Sequence, residues 1–242
     1  MEEYKEHVYE NVIQLSETDA SQKYLAKVFT WMFVALGISA FVAFGFYLNQ
    51  NLMNLIVDPI AGGFTGLGYV AVFAPLAFSL LMSFGINRLS YGTTLLLFIA
   101  YAATMGVSLS ILGLYYTATS IFGVFLSASA IFAIMAIAGY TTQMDLSKFG
   151  SILIIVFFGA LAVSIINFFL GSSQLQYILS FVFMIIMIGL TAYYMQMLKR
   201  IGAGIEYGAA ESKKLVIIGA FVLYTTFINL FMSMLRVFGS RR

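Results

Sequence analysis

The residues best able to do chemistry are few, and apolar neighbours surround them. Asn167 and Asn229 each interrupt a long hydrophobic run. Burying an amide in lipid without a partner costs on the order of 2–7 kcal/mol. Each is therefore expected to face other helices, either as a structural clasp or as polar lining for an ion or water path. A second polar group comprises Thr191, Tyr193, Tyr194 and Gln196, with Tyr224, Thr225 and Thr226 expected to face it. These supply hydroxyls and one amide, and none of them titrates near neutral pH. Met195, Met197, Met232 and Met234 offer soft thioethers of the kind that bind copper(I). Methionine at such positions is more often gap-filling or lipid-facing, and no metal site is predicted.

What is missing narrows the chemistry further. The chain has no Cys, and its one His is His7, in a polar N-terminal stretch. A buried His base, a thiolate nucleophile and a Cys- or His-rich metal centre are excluded on that ground. Hydroxyls without a His, Lys or carboxylate neighbour are poor nucleophiles. No catalytic residue and no cofactor is predicted, and the chain is not expected to be an enzyme. A retinal-type receptor would need a Lys inside the last helix, whereas Lys213 and Lys214 lie at its edge.

The elements that must position these residues follow from composition and charge spacing. Of 242 residues, 62% are hydrophobic and only 9% are charged. A soluble domain carries roughly 25% charged residues, and one core could not hide this much apolar surface. The bilayer is therefore the expected partner. A net charge of +2 does not suggest a nucleic-acid surface. Charge-free gaps run between Lys27 and Asp58, Asp58 and Arg88, Arg88 and Asp145, Lys148 and Lys199, and Lys214 and Arg236. A crossing helix needs about 20 apolar residues. The third and fourth gaps hold two spans each, split near Leu114–Ser120 and Gly171–Gln174. The prediction is an all-α polytopic membrane protein with seven spans, near 28–48, 67–87, 91–113, 119–140, 149–170, 175–198 and 214–236.

Orientation follows from the basic residues. Lys23, Lys27, Arg88, Lys148, Lys199, Arg200, Lys213 and Lys214 fall on one side of a seven-span chain. The other side has no Lys or Arg until the last residues, so the N-terminus is placed in the cytoplasm. Arg241 and Arg242 strain this, and a re-entrant last segment would relieve it. A full seventh span is preferred, because 21 charge-free residues suffice to cross. Residues 1–27 form an N-terminal tail, mobile over 1–15 and with a helix start at Ser16–Asp19, unlike a secretory signal. Residues 237–242 form a second tail. Tyr24, Tyr47, Tyr69, Tyr91, Tyr115, Tyr116, Tyr140 and Tyr177 are placed at the interfaces. Ala35/Ser39/Ala43, Gly106/Ser110, Gly123/Ser127 and Ala160/Ser164 have the small-residue spacing of close helix contacts. Arg88 and Asp145 share one end and are candidates for an ion pair, although each could instead reach water alone.

Several segments together resemble the bacterial branch of the Bax inhibitor family, from about residue 22 onward. They are W-M-F-V-A-L-G-I-S-A (31–40), F-G-I-N-R-L-S-Y-G (84–92), G-Y-T-T-Q-M-D-L-S-K-F-G (139–150), I-N-F-F-L (166–170), G-L-T-A-Y (189–193), I-G-A-G-I-E-Y-G (201–208) and F-I-N-L-F (227–231). The resemblance implies a bacterial cytoplasmic (inner) membrane protein with six helices around a central last one. It also implies a calcium or cation leak controlled by pH, a link to suppression of cell death in eukaryotes, and in some bacteria modulation of a membrane protease. The family attributes its pH control to two aspartates on the last two helices. Tyr194 and Thr226 stand at those positions here, so the usual latch is expected to be absent. A neutral contact between the two hydroxyls is one expected replacement. The alternative is that the pair does not meet, with Tyr194 near the inner end of its span and Thr226 nearer mid-membrane. A further alternative is that the sixth helix continues past Lys199 through the apolar I-G-A-G-I. Calcium wants charged oxygen ligands, so any calcium site there would be weak.

Overall fold

A computed structural model of the chain describes residues 2–60, 62–85, 88–204 and 210–242, without side chains for 2–18, 84, 85, 210 and 211. The expected end of the second span at 86–87, and residues 205–209 of the last connection, lie outside the described residues. So do the side chains of His7, Ser16 and Thr18.

Among the described residues the chain forms nine helices. They are α1 (Glu2–Leu48), α2 (Gln50–Ile56), α3 (Gly66–Gly85), α4 (Tyr91–Ser110), α5 (Leu112–Tyr115), α6 (Ala118–Thr141), α7 (Ser147–Leu170), α8 (Ser173–Ala203) and α9 (Ala210–Phe238). Seven stretches are long and apolar enough to cross a membrane: Asp19–Leu48, Gly66–Ser83, Tyr91–Tyr115, Ala118–Thr141, Ser147–Leu170, Ser173–Ala203 and Ser212–Phe238. The protein is all-α and polytopic.

The boundaries have local causes. Ser90, Thr117 and Ser172 cap α4, α6 and α8, each accepting from the backbone N–H three residues on. Such a cap contributes about 1 kcal/mol. Gly171 ends α7 at φ +66°, a left-handed conformation that glycine adopts without a Cβ clash. The helix start expected at Ser16–Asp19 is corrected, because α1 is helical from Glu2 through those residues. Residues 2–15 include four Glu and contain neither Gly nor Pro, so nothing in them breaks a helix. The connection 49–66 also carries a short helix, α2, capped by Asn49.

Helix α9 is the core. Ile217, Ala220, Leu223, Tyr224 and Leu230 are fully buried on it. It packs against α1, α4, α6 and α8, while α3 lies outside on α4 and α7 lies outside on α8. The central last helix thus has four main neighbours rather than six. It runs unbroken for 29 residues, about 43 Å, against a hydrocarbon thickness of about 30 Å. The re-entrant alternative therefore fails. Residues beyond α9 fold back onto the α5–α6 junction: Thr117 N–H donates to Ser240 O at 3.2 Å and Arg242 N–H to Tyr115 O at 3.0 Å. The molecule therefore has a basic end, where α1 starts its span, and a far end that holds residues 239–242.

Two of the eight tyrosines assigned to the interfaces are core residues. Tyr24 is buried and donates to Leu215 O at 3.0 Å, and Tyr116 is buried beneath residues 239–241. The small-residue pairs divide as well. A Cβ on Gly106 would come within 2.6 Å of Ser39 O, which marks a close α1–α4 contact, while Gly123 has nothing within 4 Å and Ser127 is exposed.

Candidate functional site

Three polar groupings lie along the bundle, and only one sits at mid-span and joins three helices. There Ser39 of α1 accepts or donates at 2.6 Å with the Tyr224 hydroxyl of α9. The Ser39 hydroxyl also lies 2.7 Å from Ala102 O of α4 and 3.0 Å from Ala35 O of its own helix. Tyr101 of α4 reaches Thr225 of α9 at 3.3 Å. Phe98 and Phe221 close edge-to-face around Tyr101 and Tyr224, with centroids 5.0–6.4 Å apart. The register follows from helix geometry. Residues 224 and 228 share one stripe and 221 and 225 the next, about 100° round the helix. Tyr224 and Thr225 therefore face α1 and α4, not the sixth span as expected. Ser39 entered the sequence reading only as a small residue, and Tyr101 was missed. Their signal was position: each falls near the centre of its expected span, 28–48 for Ser39 and 91–113 for Tyr101.

The second grouping is the place where the family carries its aspartates. Thr226 is buried, and its hydroxyl donates to Val222 O at 2.8 Å, within α9. Thr191 does the same within α8, to Met187 O at 2.7 Å. The expected contact between the Tyr194 and Thr226 hydroxyls is not made among the described residues. The reason is register. Gly219 of α9 lies against Leu198 of antiparallel α8. Counting outward from that contact sets Thr226 level with Thr191, and Tyr194 level with Leu223, about 4.5 Å nearer the basic end. Tyr194 packs instead against Tyr193, with ring centroids 5.2 Å apart and planes tilted by 49°, and Tyr193 lies over Gly150 of α7.

The third grouping is a clasp at the basic end. Gln196 donates to Met144 O at 2.7 Å and accepts from Leu146 N–H at 2.9 Å, so it pins the α6–α7 turn to α8. Lys199 donates to Tyr140 O at 2.8 Å and lies 4.6 Å above that ring. Asp145 pairs with Arg200 at 2.9 Å, not with Arg88, which is exposed in the α3–α4 turn. The correction has a physical cause: α8 continues past Lys199 to Ala203, and that added turn carries Arg200 to the loop. The Ser147 hydroxyl and backbone N–H, with Arg200, hold the Asp145 carboxyl at about 2.

The two asparagines are not brought together. Asn167 is buried near the far end, where its amide donates to Ser172 O at 3.1 Å and its Oδ1 has no partner among the described residues. It clasps the α7–α8 turn. Asn229 is half-buried one turn beyond Thr225, with no hydrogen bond among the described residues.

Comparison with known proteins follows from this geometry. The family profile described as Inhibitor of apoptosis-promoting Bax1 matches residues 21–242. The chain belongs to the Bax inhibitor family. Members similar to it include the inner membrane protein YbhL of Escherichia coli (strain K12), 38% identical over 224 residues, which cover 91% of this chain and 93% of the relative. A protein of Rickettsia prowazekii is 35% identical across 91% of both chains. A Borreliella burgdorferi protein is 33% identical, covering 91% of this chain and 93% of its own. Bax inhibitor membership and the all-α fold are consistent with a non-enzymatic membrane protein. Among the described residues no three His, Cys, Asp or Glu side chains gather where they could hold a metal ion.

Proposed function

We propose that the protein is a passive cation leak of the bacterial inner membrane, with calcium among its cations and without the aspartate-based pH gate of its family. The inner-membrane location is in keeping with the name of the Escherichia coli relative, and the basic residues gathered at one end favour a cytoplasmic N-terminus. The observation that carries the reading is the convergence of neutral oxygens from α1, α4 and α9 at mid-span. Hard cations exchange hydration water for such oxygens, and without carboxylates the exchange is weak, which suits a leak better than storage. The test is calcium flux into proteoliposomes from pH 5 to pH 8, beside a Tyr224→Phe variant. Flux above empty vesicles with little pH dependence is expected, and no flux at any pH overturns the reading.

A second reading is a non-conducting regulator that binds a membrane protease or another integral protein. Its support is that Thr191 and Thr226 turn their hydroxyls onto their own helices, which leaves the α8–α9 contact apolar there. Pull-down from native membranes separates the two. A chain that purifies alone and conducts argues against the regulator.

A further inference from the structure

Helices α1 and α6 stand apart, and an apolar furrow runs between them with α9 as part of its floor. One lobe of about 780 Å³ lies toward the basic end and one of about 550 Å³ toward the far end. The lobes meet at Leu36, Ala40 and Phe125, which line both. Small side chains that ordinarily draw membrane helices together, Ala40 and Ala43 among them, here border open space. Ile228 and Phe231 of the core helix floor the far lobe.

Among the described residues that line the far lobe, one has a charged side chain, and it lies at the membrane-surface end. Arg242 lines it and donates from its guanidinium to the Tyr47 hydroxyl at 3.0 Å. That charge is held in place, because Arg242 N–H donates to Tyr115 O and Ser240 N–H to the Ser120 hydroxyl at 2.8 Å. From Tyr47 to Leu36 the lobe follows α1 for about 16 Å, close to half of a hydrocarbon core about 30 Å thick. An apolar slot one leaflet deep with a fixed cation at its mouth has the polarity of one lipid.

We propose that the far lobe is a binding site for an anionic phospholipid. Its phosphate pairs with Arg242 beside Tyr47, and an acyl chain fills the slot down to Phe125. Water is excluded from so apolar a slot, and a vacant one would forfeit dispersion contacts along α9. The lipid therefore serves as the missing wall between α1 and α6.

The test uses the full chain in nanodiscs of phosphatidylglycerol and phosphatidylethanolamine in equal parts, with retained lipid counted by native mass spectrometry. Wild type is expected to keep a phosphatidylglycerol under activation that strips the surrounding lipid. Arg242→Gln is expected to lower the retained ratio of phosphatidylglycerol to phosphatidylethanolamine roughly fivefold. Ala43→Phe, which fills the slot, is expected to lower retention of both, while Ala133→Phe in the other lobe leaves the far site loaded. An unchanged ratio in Arg242→Gln, or undiminished retention in Ala43→Phe, overturns the proposal. Size-exclusion profiles of each variant separate lipid loss from misfolding.

Discussion

The Ser39 and Tyr224 hydroxyls lie 2.6 Å apart at the centre of the bundle, where α1 meets the core helix. The two ends of this contact are not equivalent. Ser39 has carbonyl partners besides Tyr224, whereas Tyr224 has only Ser39 among the described residues. Tyr224→Phe is therefore expected to cost about 1 kcal/mol, and Ser39→Ala about 2 kcal/mol, because the latter strands a buried hydroxyl. Thermal denaturation in detergent checks the order.

Glycine substitutions should separate helix contact from lipid contact. A Cβ on Gly139 would run into the backbone of Ala192, whereas Gly123 has open space around it. Gly139→Leu is expected to destabilise by at least about 3 kcal/mol, through overpacking and helix separation. Gly123→Leu should be neutral or slightly stabilising. Equal melting temperatures for the two variants would contradict the α6–α8 packing.

The basic-end clasp predicts a flat response to pH in the neutral range. The Asp145 carboxyl is held at about 2, below its ordinary 3.8. A lowered folded value means the contribution is present above about 4 and is lost as pH falls toward 2. Between pH 5 and pH 8 the Asp145–Arg200 pair should leave stability unchanged. Melting temperatures of wild type and Asp145→Asn measured across that range should run parallel, and should converge only below pH 4.

Restoring the family carboxylates should bring pH dependence back. Thr226→Asp alone places an unpaired charge in the α8–α9 contact, a change expected to cost roughly 3–5 kcal/mol. Protonation relieves that charge, so the variant should lie closer to wild type at pH 5 than at pH 8. The axial offset of Tyr194 from Thr226, about 4.5 Å, is less than one helical turn, and two carboxylates that approach within about 4–6 Å couple. Tyr194→Asp with Thr226→Asp is therefore expected to make calcium flux depend on pH, as read in the same proteoliposomes.

The seven spans were legible because charge punctuates this chain so sharply. Lys27, Asp58, Arg88, Asp145, Lys148, Lys199, Lys214 and Arg236 bracket the apolar runs, and water demands that they do. The splits at 114–120 and 171–174 were legible through turn residues, and the structure breaks at Tyr116–Thr117 and Gly171–Ser172. Which face each helix turns inward was not legible. All faces of these helices are apolar, so periodicity carries no direction, and Tyr224 and Thr225 were assigned to the wrong neighbour. The Arg88–Asp145 pairing failed for a different reason. A sixth span that ends at 198 leaves Arg200 out of reach, whereas the alternative in which that helix continues past Lys199 carries it to the loop. Of the two expectations for Asn167, structural clasp or polar lining, the structure shows a clasp on the α7–α8 turn, because Asn167 sits four residues before Gly171.

The core of this bundle is its final helix, and that sets an order of events during synthesis. Chains enter the membrane N-terminus first, so six spans are delivered before the one that four of them enclose. Until α9 arrives, the buried faces of α1, α4, α6 and α8 have only lipid or one another to pack against. The nascent protein must then keep an entrance wide enough to admit a whole helix sideways, and the parted edges of α1 and α6 lie where such a doorway would have closed last.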